Sequence, residues 1–256
     1  MTGGGPAEPI EVGLADVYRL DFGRRDVDLP TWSVLAALAG PGPILDVGCG
    51  DGRATRDLRA DGREVYGIDP DVRLLAAARD AGIKTERGTA DDPASYRYLP
   101  RVALALCAYS TFWLLQHDTQ ERALARMAEA IKPGGLVAVE VFVPVLTADR
   151  EVEEAVLDPN DPRRPPWVRL SRFSLFPDLR QTGVERFYGP SRDRFTMVLR
   201  ERLYWRDPDE LLLLARRAGL VDVEVLTGPA LLGQTTTGRA REVRVAPGHA
   251  LLVGRR

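Results

Sequence analysis

The sequence predicts an α/β protein with a doubly wound, mostly parallel sheet of seven strands and an antiparallel strand insertion after the fifth. Three observations carry that expectation. Short apolar runs alternate with helix-like stretches through residues 44–143 and again through 201–254, the rhythm of strand–helix–strand units. The run Val102-Ala103-Leu104-Ala105-Leu106-Cys107 is apolar without a break, as a central parallel strand buried on both faces must be. The run Ile44-Leu45-Asp46-Val47 enters Gly48-Cys49-Gly50-Asp51-Gly52, and Asp69 follows at 69 − 50 = 19 residues past the middle glycine. This is the spacing of a nucleotide-binding βαβ unit. Its glycines let the backbone approach a ligand, and its acid accepts hydrogen bonds from ribose hydroxyls.

The elements follow in order. Residues 10–40 read as a helical lead-in in two pieces, broken at Leu29-Pro30. Pro41-Gly42-Pro43 stops the chain before strand one at 44–48, and a helix is expected over about 53–60, closed by Asp61-Gly62. Strand two is 64–69. Pro70 suits the first turn of a helix whose Val72, Leu74, Leu75 and Ala78 form an apolar side, ended by Gly82. Strand three spans 83–87 and strand four 102–107. A helix over about 119–131 then leads through the turn Lys132-Pro133-Gly134-Gly135 into strand five at 136–143. A helix over 208–218 and strands at 221–226 and 249–253 complete the alternation.

Between about 144 and 204 the rhythm changes. Runs at 167–176, 183–188 and 194–203 alternate apolar with charged residues, so two or three half-exposed antiparallel strands are expected there. The domain plan is a tail at 1–9, a cofactor-binding unit at 10–143 plus 205–256, and an insertion at 144–204 that covers an acceptor or pairs two subunits as a homodimer.

Composition narrows the function classes. The 256 residues are 45% hydrophobic and 28% charged with net charge −2, so no single-sign field points to nucleic acid or to a membrane surface. No apolar run approaches the roughly 20 residues that span a bilayer, and the start carries no signal-peptide pattern. Two cysteines, Cys49 and Cys107, fall in core or turn positions; no disulfide and no metal site are expected, and the cytoplasm is the expected compartment.

The glycine turn also discriminates among ligands. A dinucleotide fingerprint would place its third glycine one residue later. Asp51 stands where a pyrophosphate would want no negative charge, and Asp46 precedes the turn. A cationic amine is the better guest. The run Asp46-Val47-Gly48-Cys49-Gly50-Asp51-Gly52, with Asp69, Gly88-Thr89-Ala90-Asp91, Cys107-Ala108-Tyr109-Ser110-Thr111-Phe112 and Lys132-Pro133-Gly134-Gly135, resembles the class I S-adenosylmethionine-dependent methyltransferases over roughly 43–143 and 201–254. The lead-in around Tyr18 and the strand insertion are similar to members acting on small molecules in natural-product pathways.

That resemblance implies a Rossmann-like fold, S-adenosylmethionine as cofactor and a small-molecule acceptor. Its cofactor residues would be Tyr18, Asp46, Gly48, Cys49, Gly50, Asp69, Pro70, Thr89, Ala90, Asp91 and Cys107. Alternatives stay open at several of these. Asp46 either orients the cofactor's amine or pins its own turn, and Asp91 either meets the adenine or caps a helix before Pro93. Tyr109 and Trp113 either line the acceptor pocket or pack in the core. His117 and Tyr109 are the candidate catalytic groups, with His117 otherwise a solvated residue at a helix start. His249 and Arg163, Arg164, Arg169 and Arg172 carry no expected role, the arginines reading as a solvated strand face. The function implied is methyl transfer to N or O of a small molecule, a secondary metabolite. The alternative is a cyclisation or rearrangement on the same fold with the cofactor as a structural element.

Overall fold

Six consecutive apolar residues at 102–107 require cover on both faces, and two helical layers supply it. The computed structural model describes residues 14–23, 26–143, 150–157, 166–228, 230–232, 241–246 and 248–256. The lead-in forms α1 (Leu14–Phe22) and α2 (Leu29–Leu38). Pro30 sits in the first turn of α2 rather than breaking it, because a first-turn residue has no intrahelical N–H bond to lose.

The central sheet is built from β1 (Ile44–Val47), β2 (Val65–Asp69), β3 (Lys84–Arg87), β4 (Val102–Cys107) and β5 (Ile131–Phe142). Its helices are α3 (Arg56–Ala60), α4 (Val72–Asp80) and α5 (His117–Ala130). The insertion holds β6 (Arg150–Leu157), β7 (Trp167–Phe176), β8 (Gln181–Gly189) and β9 (Met197–Tyr204). After it come α6 (Pro208–Arg217), β10 (Val221–Leu226), β11 (Ala230–Leu232), β12 (Arg241–Val243) and β13 (His249–Arg255).

The seven-stranded order is β10-β13-β5-β4-β1-β2-β3. β1 to β5 run parallel, and β13 is antiparallel to both its neighbours. Every residue of β1 and β4 is buried. One face packs with Phe112, Trp113, Leu124, Met127 and Leu211, the other with Trp32, Leu35, Leu58 and Ala78. Helix ends follow their sequence signals. Asp71 caps α4 by accepting the Arg73 N–H, and Glu210 reaches back to the Asp207 N–H before α6.

Four details depart from expectation. The helix after the glycine turn begins at Arg56, not 53, because residues 51–55 are spent in tight turns anchored by Asp51 and Thr55. The expected turn at 132–135 lies inside β5 as a bulge: Val102 pairs Ile131, and Leu104 pairs Leu136, so Pro133 needs no ladder bond there. The insertion has four antiparallel strands, in the order β6-β7-β8-β9, where two or three were expected. The pair β11–β12 was not expected; three-residue strands are too short for periodicity to register.

Gly48 shows how closely the turn is fitted. Its φ is +72°, and a Cβ there would collide with Thr111 Cγ2 in the loop after β4. Gly48→Ala should therefore lower unfolding free energy by about 2–4 kcal/mol, combining left-handed strain with a steric shift. Urea denaturation of the two proteins, giving equal midpoints, would contradict this packing.

Candidate functional site

The site lies at the carboxyl edge of the parallel strands, where doubly wound sheets bind ligands. The turn after β1 uses left-handed Gly48, Gly50 and Gly52. The Gly48 and Cys49 N–H groups both donate to the Ile68 carbonyl, at 2.7 and 3.1 Å. Asp69 then bridges two turns. One carboxylate oxygen accepts the Gly50 N–H at 2.9 Å, the other the Asp71 N–H at 2.8 Å. Burial raises the Asp69 carboxyl above the usual range, and these two N–H donors oppose that shift. Asp46, fully inside, accepts the Thr55 hydroxyl at 2.9 Å, and burial pushes its carboxyl up to about 7.

The loop after β4 is held in the same manner. Tyr109 and Ser110 are both left-handed, at φ 55° and 58°, a conformation costly to non-glycine residues and frequent at functional sites. Glu140 of β5 accepts the Tyr109 N–H at 2.8 Å, and Ser110 Oγ accepts the Phe142 N–H at 2.8 Å. Burial raises the Glu140 carboxyl. Arg53 beyond the glycine turn forms a doubly hydrogen-bonded ion pair with Asp28, 2.8 Å on each arm, and its guanidinium lies 5.4 Å from the Tyr109 ring centre. Burial alone would raise the Asp28 carboxyl, but Arg53 and the Trp32 indole N–H outweigh it and hold the group low.

Two cavities meet at this edge. The first, about 290 Å³, runs from Gly48, Gly50 and Asp69 past Thr89 and Ala90 to Cys107 and Phe112. The second, about 320 Å³, lies between the loop at 109–111 and the inner face of the four-stranded sheet, with Phe22 and His249 at its sides. Thr111, Leu114 and Glu201 line both. Ser171 and Thr182 face the second cavity, 1% and 7% exposed, and their hydroxyls lack a hydrogen-bond partner among the described residues. A buried hydroxyl in that state favours a ligand that completes it.

The candidates read from the sequence fall into three groups. Gly48, Gly50, Asp69, Pro70, Thr89, Ala90 and Cys107 line the first cavity, and Tyr109 lines the second. Asp46 lines neither cavity and accepts the Thr55 hydroxyl, while Cys49 is packed beneath the turn against Gly67. Asp91 binds Arg122 at 3.1 Å, and the cap before Pro93 is Asp92, not Asp91. The Tyr18 side chain, Arg163 and Arg164 lie outside the described residues.

Trp113 and His117 need correction. Trp113 is 1% exposed in the core, its indole N–H donating to the Phe142 carbonyl at 3.0 Å. The His117 ring sits 3.2 Å from the Trp205 carbonyl and edge-on to Tyr204, and it lines neither cavity. The histidine at the site is His249, which carried no expected role. Arg169 is likewise no solvated residue, since it lines the second cavity and pairs with Asp21 at 2.6 Å. Ser171, Thr182, Arg186 and Glu201 were missed. The only signal for them is their shared parity on β7, β8 and β9.

The first cavity fits S-adenosylmethionine on its own chemistry. The charged residues lining it, among those described, are Asp69, Asp71 and Glu201, all acidic. That suits a cationic ligand and repels a pyrophosphate, which would also find no helix start until Arg56.

Comparison with known proteins agrees. Residues 44–135 match the family model described as a methyltransferase domain. A trans-aconitate 2-methyltransferase of Rhizobium meliloti (strain 1021) is 35% identical over 104 residues, 39% of this chain and 38% of that protein. The chain spans less than two thirds of the length of the first curated relatives it matches. Among solved structures, DesVI of Streptomyces venezuelae superposes with TM-score 0.71 at 23% identity, covering 95% of this chain and 98% of that one. The S-adenosylmethionine-bound CalS10 of Micromonospora echinaspora, an amino pentose methyltransferase of calicheamicin biosynthesis, gives 0.67 at 21%, covering 94% of each. These two likenesses are of fold.

Two outcomes follow. Asp46 has a folded pKa of about 7 against about 4 when unfolded. The stability of its buried, protonated form is thus complete below about pH 4 and lost as pH rises through 7. Asp46→Asn should remove that loss, so its stability relative to wild type should rise by roughly 2–4 kcal/mol between pH 4 and pH 8. Parallel stability–pH curves for the two proteins would contradict it. His117→Ala should change turnover less than about tenfold, whereas a general base is worth roughly 10²–10⁴; steady-state kinetics decide.

Proposed function

We propose that this chain, which carries a class I S-adenosylmethionine-dependent methyltransferase domain, transfers the methyl group to a nitrogen or oxygen of a small hydrogen-bonding molecule, a secondary metabolite. The observation that carries the reading is the meeting of two cavities at Thr111, Leu114 and Glu201. One is acidic and built on the glycine turn; the other is roofed by a sheet bearing hydroxyls without a partner among the described residues. Methyl transfer requires acceptor, carbon and sulfur in line, and two adjoining cavities with a shared junction would let donor and acceptor meet there.

Each group has a definite task. Asp69 would hold ribose hydroxyls, and the Gly48–Gly50 backbone would cradle the amino-acid end. The sulfonium supplies the electrophilic methyl when bound. Phe112, Leu114 and Leu115 give the cofactor cavity an apolar wall that keeps water from the reacting carbon. On the acceptor side Ser171 and Thr182 would fix the molecule's hydroxyl or carbonyl groups, with Phe22, Tyr109 and Phe173 packing on its apolar parts. The amino-pentose activity of the structural neighbour CalS10 makes amino sugars a first acceptor class to test.

Incubation with S-adenosylmethionine and a panel of amino sugars, hydroxylated amines and phenols should yield a product heavier by one methylene. An unchanged product mass from a consumed substrate would instead indicate rearrangement. Asp69→Ala removes a charge-assisted acceptor of ribose hydroxyls and should weaken cofactor binding by about 1.5–3 kcal/mol. Calorimetry showing unaltered affinity would take Asp69 out of the binding site.

A further inference from the structure

Glu201 stands apart from the other residues around the cofactor cavity. Asp69 and Asp71 belong to the end of β2 and the turn after it, whereas Glu201 reaches in from β9 of the four-stranded sheet on the opposite side. It is the only charged residue, among those described, that lines both cavities. Its carboxylate is paired with Arg186 of β8, and both side chains are mostly buried, 23% and 16% exposed. In the strand register Val184 lies opposite Glu201 and Leu199 opposite Arg186, so the pair is a diagonal neighbour pair on the inner face. Arg186 lines the acceptor cavity alone. Seen from the cofactor side, the carboxylate is in front and its counter-charge behind it.

The reaction changes the charge at that junction. A lone pair of the acceptor forms the new bond to the methyl carbon while the carbon–sulfur bond breaks and leaves its electron pair on sulfur. The sulfonium becomes a neutral thioether, and the acceptor carries the positive charge until it sheds a proton to solvent. The adenosine and amino-acid ends are unaltered, so the glycine turn and Asp69 hold donor and product alike. A residue that distinguishes the two must face the sulfur.

We propose that Glu201 is that residue: its carboxylate favours the cationic methyl donor over the neutral thioether and so promotes exchange of spent for fresh cofactor. The proposal rests on the methyltransferase reading above. Arg186 acts as a positioning residue, fixing the carboxylate at the junction. The four-stranded sheet, expected to cover the acceptor or to pair two subunits, thereby also selects the state of the cofactor.

The test needs no acceptor. Calorimetry on the full chain measures S-adenosylmethionine and S-adenosylhomocysteine separately for wild type, Glu201→Gln and the control Glu185→Gln, whose carboxylate pairs with Arg172 and Arg200. Glu201→Gln should lower affinity for the cationic donor roughly fivefold to tenfold, the part of a near-contact Coulomb attraction that survives beside Arg186. Its affinity for the thioether should stay within about twofold of wild type, within the small span expected when no net charge interaction is lost. Glu185→Gln should leave the ratio of the two affinities unchanged. An unchanged ratio in Glu201→Gln, or an equal loss for both ligands with an unaltered melting temperature, overturns the proposal. Wild type that binds neither ligand removes the methyltransferase reading itself.

Discussion

At the carboxyl edge of a parallel sheet the regular hydrogen-bond ladder stops, and the N–H groups of the turns beyond it need other acceptors. In this protein carboxylates fill that gap. Asp69 accepts from Gly50 and Asp71, and Glu140 accepts from Tyr109. Each acid has left water, which is costly without donors. Each turn contains left-handed residues that would relax without an anchor. One set of bonds meets both needs. Asp69 ties the glycine turn to the end of β2, Glu140 ties the loop after β4 to β5, and the cofactor cavity lies between those two fastenings.

The lead-in and the four-stranded sheet are fastened to this edge by charge. Asp28, just before α2, holds Arg53 of the turn region in a buried ion pair. Asp21 of α1 receives both Arg169 of β7 and the Tyr188 hydroxyl of β8. Removing one partner of such a pair typically costs about 3–5 kcal/mol because the other charge is stranded. These contacts specify where the sheet sits more than they add stability. The outcome is a roof whose inner face is chemically unlike the floor. The floor presents acids and backbone to the first cavity, and the roof presents arginines and hydroxyls to the second, with one carboxylate, Glu201, at their junction.

Sequence reading succeeded where burial leaves no choice. Residues 44–47 and 102–107 are covered on both faces, so the second run is apolar throughout and the first is broken only by Asp46, whose carboxyl accepts the Thr55 hydroxyl. The glycines of the turn occupy left-handed positions that other side chains resist. Reading failed in the stretch after β4. Thr111, Phe112, Trp113 and Leu114 form a single 3₁₀ turn in which Thr111 and Leu114 face the cavities while Trp113 turns into the core. Four neighbouring residues give no periodicity long enough to choose a side. His117, one turn further, is carried off to Trp205 by the start of α5. His249 was overlooked because strand direction decides its place. β13 runs against β5, so its first residue, not its last, lies at the ligand edge.

By itself, then, the sequence determined the alternation that builds the sheet, the glycine turn with its acid at the strand end, and the chemistry of the ligand they accept. These rest on local rules of covalent geometry and on burial that every fold of this pattern must satisfy. Which residues line the second cavity was decided only in tertiary structure. Alternation along β7, β8 and β9 separates two faces, with Arg169, Ser171 and Phe173 on one and Arg172 on the other, but both faces carry polar and apolar residues. The chain cannot mark one as inward until Asp21 docks the sheet over the edge, because parity is a local property and inwardness is a relation between distant parts.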